Sequence, residues 1–445
     1  MRHTLSLLFI ALLTGIYGQS STKDPISYSG IGEQATGSHS IYNALGKNNF
    51  NFFDSTQLNF FNPASYNTLS SGNTLFSLDI NSRISRYDQG SSSEISGNAM
   101  VEHFAIGFKI KKKMGLAFGL RPFSTRGYSF SEKQFTGTDT LEYSYIGSGG
   151  IQNLFLGFSY GIINKKSTKL ALGFNASYLF GSVNNQRKSV LIDPNTSQGG
   201  LSYDIFQMNA FHYEIGTYFR QKISKNQQLM LSAVIEPAQS YNTTYNEELY
   251  TASNINSPST YDTLVFNTTS GKVNSNLNFS LGINYLLALP DWKRNTRMLH
   301  PGINILISYA DYGGVQPEIG TLTKWDLVDY TKLSLGLQFN PELKIAENFT
   351  NLKALEKFSY RIGAYQQTLP YLKNNRVYEE RGLTFGLGIP ILAQQSLSSL
   401  NVSFQFGQRG LNQTDALKES FIGMNFGLIV SPSSFDKWFR KRKLD

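Results

Sequence analysis

Residues 277–285 read LNFSLGINY. Leu277, Phe279, Leu281, Ile283 and Tyr285 alternate with Asn278, Ser280, Gly282 and Asn284, a period of two that an extended strand turns into one apolar and one polar face. A strand of a soluble sandwich would also alternate, so the composition of the polar face decides the fold. That face carries Asn, Ser and Gly, where a solvated sheet would carry Lys and Glu. Small uncharged residues suit a crowded or water-lined lumen, which leaves the bulky face pointing at lipid.

The pattern recurs along the chain. Phe76, Leu78 and Ile80 alternate with Ser77, Asp79 and Asn81; Leu170, Leu172 and Phe174 alternate with Ala171, Gly173 and Asn175; Ile422, Met424, Phe426, Leu428 and Val430 alternate with Gly423, Asn425 and Gly427. Fourteen such runs are expected, at 73–85, 98–110, 114–125, 150–163, 168–181, 204–222, 227–237, 272–288, 301–311, 329–340, 357–367, 379–390, 397–408 and 419–430. An even number places both ends of a bacterial barrel in the periplasm.

Composition agrees. Charged residues make up 16% and aromatics 13%, with 25 Tyr and 32 Phe, against roughly 25% charged in ordinary soluble domains. Mean hydropathy is −0.25, and no run holds the ~18 apolar residues of a spanning helix. The start, MRHTLSLLFIALLTGIYGQS, has the basic, apolar and small-residue sections of a secretory signal, expected to be cut after residue 18. There is no cysteine, hence no disulfide, thiolate metal site or lipidated Cys.

The connections fall into two alternating classes. One is long and polar, such as 238–271; the other is short and Lys-rich, such as KIKKKM at 109–114 and NKKSTK at 164–169. Long loops belong outside and short turns inside. Two inner connections are longer: 290–301, and 341–356, which can hold a short helix. Much of the formal charge of +9 therefore maps to the inner rim and to the tail FDKWFRKRKLD. Trp438 and Phe439 beside Arg440, Lys441, Arg442 and Lys443 form an aromatic-basic element suited to a membrane interface or a partner's groove. Nucleic acid is not an expected partner of an exported barrel.

Inward positions supply the candidate site residues. His212, Glu214 and Arg220 share one face of a strand, and with Asp79, Arg83, Arg121, Glu236 and Arg361 they make a candidate lumenal hydrogen-bonding network. A Ser, His and acid set is the raw material of a barrel hydrolase. No nucleophile elbow, paired metal spacing or Gly-rich phosphate loop singles out a residue, so neither an enzyme nor a cofactor is expected. Pro122 lies where the third run either ends at Arg121 or continues with a kink, since Pro removes a ladder bond.

Ahead of the first run stands FFNPASYNT, residues 60–68, with Asp54 upstream. An N-terminal segment of some fifty residues before fourteen strands, with an Asn62, Pro63, Ala64 turn preceded by an Asp and a small-residue pattern at Gly37, Ala44 and Gly46, resembles the long-chain fatty-acid transporter family of outer-membrane barrels. The motif likeness is confined to residues 30 to 69, and the Gly, Ser and Asn of the inward faces and the basic tail depart from the archetype toward a functionally unassigned subgroup. The resemblance implies that the N-terminal segment folds inside the barrel as a hatch and that a kink in the third strand, here at Arg121 and Pro122, opens a lateral exit. Phe60 and Phe61 would anchor the hatch beside the turn.

The expectation is thus an all-β chain: a signal peptide at 1–18, a hatch at 19–72, a transmembrane antiparallel barrel of about fourteen strands at 73–430 and a basic periplasmic tail at 431–445. Its home is the outer membrane of a Gram-negative bacterium, among outer-membrane lipids. Its expected function is passage of a hydrophobic or amphipathic small molecule. The alternative is a non-transporting accessory subunit of an outer-membrane protein assembly or secretion complex, with outer-membrane or periplasmic proteins as partners.

Overall fold

A computed structural model describes residues 24–431 except 35–37, 72–73, 193–196, 290–301, 321, 323–324, 326, 342–357, 374, 392–397 and 412–415. The signal segment, the tail with Trp438, Phe439, Arg440, Lys441, Arg442 and Lys443, the connection at 290–301 and nearly all of the stretch read as a short helix lie outside the described residues.

The barrel strands in order are Thr74–Gln89, Ser92–Lys111, Met114–Thr125 resuming as Tyr128–Phe135, Thr140–Asn164, Thr168–Leu191, Gly199–Lys222, Gln227–Glu236 resuming as Gln239–Ala252, Tyr261–Ser275 resuming as Asn278–Ala288, Gly302–Tyr312 resuming as Gln316–Glu318, Tyr330–Asn340, Ser359–Lys373, Arg376–Ile391, Ser398–Gly410 and Lys418–Val430. One further short strand, Glu33–Gln34, belongs to the N-terminal segment, so the nineteen-stranded sheet is a fourteen-stranded wall with four broken strands. All wall pairings are antiparallel, and the last strand closes on the first from Lys418↔Asp88 to Val430↔Phe76.

The wall is apolar on the outside. In the eighth strand Leu281 and Ile283 are 51% and 49% exposed while Ser280 and Asn284 are 6% and 1% exposed, so the large side chains face outward and the small polar ones inward. Every strand meets its neighbours through backbone bonds, which satisfies the peptide groups that lipid cannot. A closed antiparallel barrel with this exterior is an outer-membrane architecture, and the chain is an integral protein of the Gram-negative outer membrane.

Several strands run further outward than their alternation suggests. The fourth strand has 25 residues, against roughly 9–11 needed to cross the hydrocarbon. The stretch 238–271, read as a loop, is mostly a hairpin of Gln239–Ala252 against Tyr261–Ser275. Beyond the lipid both faces are wet, so the apolar contrast that marks a strand disappears from sequences such as YNTTYNEELY.

The third strand passes through Pro122. Its ladder with the second strand stops at Phe104↔Leu120, while its ladder with the fourth continues through Pro122↔Gln152 with an irregularity before Ser124. Proline cannot donate to a ladder, and it stands where one neighbour has already been lost. Above Leu120 the second and third strands diverge, and Glu33–Gln34 pairs with Ser124 and Thr125.

The N-terminal segment lies within the wall. Ile41, Tyr42, Leu45, Leu58, Phe60 and Tyr66 are buried against the inward residues Ala105, Ala117, Phe155 and Leu306. Two glycines permit the contact. Gly46 has φ +72°, and a Cβ there would lie 2.5 Å from the carbonyl oxygens of both Leu335 and Ala364. Gly173 of the fifth strand has the backbone of Pro63 and Ala64 against it.

Candidate functional site

The Asn62 turn is a helix cap. Pro63–Thr68 forms a 3-10 helix whose first free N–H, that of Ala64, is accepted by the Asn62 side chain at 3.1 Å. Pro63 suits the first helical position, where no N–H is required. The Asn62 amide donates to the carbonyls of Phe50 and Thr217, both at 3.1 Å, which ties the turn to the sixth strand. Phe60 is fully buried and packs on Phe61, His103 and Phe155, with ring centroids at 4.9, 4.6 and 5.6 Å. Asp54 caps its own turn, accepting from Thr56 N–H at 2.9 Å.

The polar residues expected to form one network fall into separate groups. At mid-barrel Arg121 donates to Glu214 at 2.5 Å, His212 Nε2 lies 3.2 Å from the same oxygen, and Asn175 donates to the other at 2.9 Å. His212 Nδ1 meets the Tyr241 hydroxyl at 3.0 Å, and Glu236 accepts from Asn278 at 2.8 Å. His212, Glu214 and Glu236 offer ligand atoms within 4.8 Å of one another. That spacing could hold a cation, but Arg121 already supplies the positive charge facing Glu214.

Asp79 serves the N-terminal segment, accepting from Ser40 N–H at 2.7 Å and Asn425 at 3.1 Å. Beside it His39 caps the turn Ser40–Asn43, its Nδ1 accepting Ile41 N–H at 3.2 Å. Burial, helped by His103 and Arg361, holds this imidazole well below its ordinary range and leaves it neutral, as that acceptor role requires. Arg361 bonds Gln338 and Asn401 at 3.1 and 3.0 Å. Arg220 lies at the inner rim, 3.5 Å from the Lys166 carbonyl, away from His212 and Glu214.

The largest ionic group among the described residues centres on a residue that the sequence did not single out. Arg409 bonds Asp24, reaches Glu33 at 2.6 Å and Glu380 at 2.7 Å, and lies 3.6 Å from Glu419. Glu380 also takes Lys47 at 2.9 Å, and Glu419 takes Arg83 at 2.5 Å. Asp24, Glu33 and Lys47 belong to the N-terminal segment, so this group fixes it to the twelfth, thirteenth and fourteenth strands. Parity could have found it: Arg409 is in phase with Asn401, Ser403 and Gln405, and Glu419 with Gly423 and Asn425.

Between segment and wall remains a cavity of about 230 Å³, lined by Lys47, Glu102, Arg121, Glu214, Glu236 and Arg409 among others. It reaches the divergence of the second and third strands, where Met100, Pro122 and Phe123 also line it.

The fold has solved relatives. A Pseudomonas aeruginosa FadL homologue matches with TM-score 0.51 and 11% identity, covering 88% of this chain and 98% of that one. The P. putida toluene transporter TodX matches with TM-score 0.52 and 15% identity, covering 88% and 97%. At these identities the likeness is one of fold, and it bears out the resemblance to the fatty-acid transporter barrels. No curated protein matches the chain in sequence. The BamG family model spans residues 1–445, and this chain is a member of the BamG family.

Proposed function

We propose that this protein is a plugged barrel that serves as a non-transporting accessory subunit of an outer-membrane protein assembly machine, with residues 19–72 as the plug, 73–430 as the wall and 431–445 as a periplasmic tail. The observation that carries the reading is the Arg409 group, in which one buried guanidinium of the wall holds Asp24 and Glu33 of the plug. A hatch that moved for each cargo would break these pairs, and breaking a buried pair costs roughly 3–5 kcal/mol. The remaining cavity sets charged residues such as Lys47, Glu102 and Arg409 among apolar ones such as Phe61, Val234 and Leu369, and a purely apolar cargo would leave those charged groups without solvation. Membership of the BamG family supports the same reading. The tail from Trp438 to Lys443 would then dock on an acidic periplasmic face.

The second reading is passage of a hydrophobic small molecule, favoured by the end of the second and third strands' ladder at Leu120 and the cavity that reaches Pro122. Toluene entry into proteoliposomes separates the two. The accessory reading predicts equal rates for the wild type, for Pro122→Val and for protein-free vesicles. Faster entry with the wild type that Pro122→Val abolishes would overturn it in favour of transport.

A further inference from the structure

A closed barrel is convex on its outside, yet one sector of this wall is hollow. The tenth to fourteenth strands with the first two enclose an exterior concavity of about 890 Å³. Its apolar walls are Ile84, Leu333, Leu335, Leu383, Phe406 and Ile422, each at least 45% exposed. Ala364, the small outward residue of the eleventh strand, also lines it.

The lining is asymmetric along the membrane normal. On the first strand the outward positions run Ile80, Ser82, Ile84, Arg86 toward the outside, and on the twelfth Leu387, Phe385, Leu383, Arg381. Arg86 and Arg381 therefore stand at the outer limit of the apolar belt, together with Gln366, Gln408 and Ser420. The two arginines are the charged residues of the lining. Arg86 gives its Nε to Asp88 at 3.0 Å and Ser93 at 3.1 Å. The Arg381 side chain is exposed and makes no hydrogen bond or ion pair among the described residues.

A hollow that is apolar below and cationic above, at the height of the outer-leaflet head groups, is complementary to an anionic amphiphile. We propose that it is a binding site for the phosphorylated glycolipid of the outer leaflet, lipid A. Acyl chains lie on Leu383, Phe406 and Ile422, a phosphate meets the Arg381 guanidinium, and the Gln366 and Gln408 amides face the sugar. The arginine pair selects the occupant, because bulk lipid tails need only the apolar floor.

The test uses the full-length protein in dodecyl maltoside micelles, titrated with bis-phosphorylated lipid A and followed by native mass spectrometry. Dephosphorylated lipid A and phosphatidylethanolamine serve as comparators. The wild type should retain phosphorylated lipid A at least tenfold more tightly than either comparator. Arg381→Glu should remove that preference, and Ala364→Trp, which fills the hollow, should weaken all lipid A binding. Both variants point away from the core, and heat-modifiable gel mobility verifies that each is a folded barrel. Equal retention of the three lipids, or an unchanged preference in folded Arg381→Glu, would overturn the site and leave only ordinary lipid contact.

Discussion

Replacing Arg409 with Met removes the cation shared by four carboxylates while keeping the bulk of the side chain. Two of the four keep a partner: Lys47 remains 2.9 Å from Glu380, and Arg83 remains 2.5 Å from Glu419. Asp24 and Glu33 lose theirs. The Glu33 side chain is 22% exposed and recovers some solvation from water, whereas that of Asp24 is 6% exposed and recovers little. Leaving one buried carboxylate without its partner costs about 3 kcal/mol, which raises the local opening constant of the segment about a hundredfold. The loss falls on the N-terminal segment, because the wall keeps its ladders. Amide hydrogen exchange in micelles reads this directly. The N–H of Ser27, which donates to Asp24, and that of Gly32, which donates to Ser29, should exchange about a hundredfold faster, with the wall amides unchanged. Adding Asp24→Asn and Glu33→Gln to the Met variant should restore slow exchange. Unchanged exchange over residues 24–34, or a uniform rise across the whole barrel, would show that Arg409 does not fix the N-terminal segment to the wall.

Three further outcomes follow from the same geometry. Asn62→Ala should lower the urea midpoint by removing a cap worth about 1 kcal/mol together with the bonds that the same side chain gives to the Phe50 and Thr217 carbonyls; an unaltered midpoint would show that the turn is not fixed by its side chain. Gly46→Ala places a Cβ against two carbonyl oxygens of the wall, so the barrel should still migrate as a folded band while limited proteolysis cuts the N-terminal segment sooner. Ile283→Lys puts a charge on the lipid face and should destabilise folding into liposomes by roughly 2–4 kcal/mol; a neutral result there would contradict the outward assignment of that face.

The wall was legible because one physical fact repeats along it. Alternation of Leu281 and Ile283 with Ser280, Gly282 and Asn284 is a local property of the chain, and it holds wherever one side is lipid and the other lumen. It fails outside the membrane, where Gln239–Ala252 is a strand with no apolar stripe. The resemblance at Asn62, Pro63 and Ala64 led to the cap, whose form follows from residue type. Ionic partnerships were less visible, since Arg409 meets Asp24 across 385 residues of sequence and only barrel closure brings them together. Parity put His212, Glu214 and Arg220 on one face; His212 and Glu214 meet at 3.2 Å, whereas Arg220 lies three residue pairs further along that face, at the rim. The hollow on the exterior has no sequence signature, because its lining is drawn from seven strands.

On the proposed function this barrel acts as a subunit and not as a conduit. The most direct measurement is gentle detergent extraction of native outer membranes, affinity isolation of the chain at its natural level, and native mass spectrometry of what comes with it. Protein partners at fixed stoichiometry are expected, reduced when residues 432–445 are removed while the barrel itself stays folded by heat-modifiable mobility. A solitary barrel carrying a hydrophobic small molecule in its lumen would contradict it.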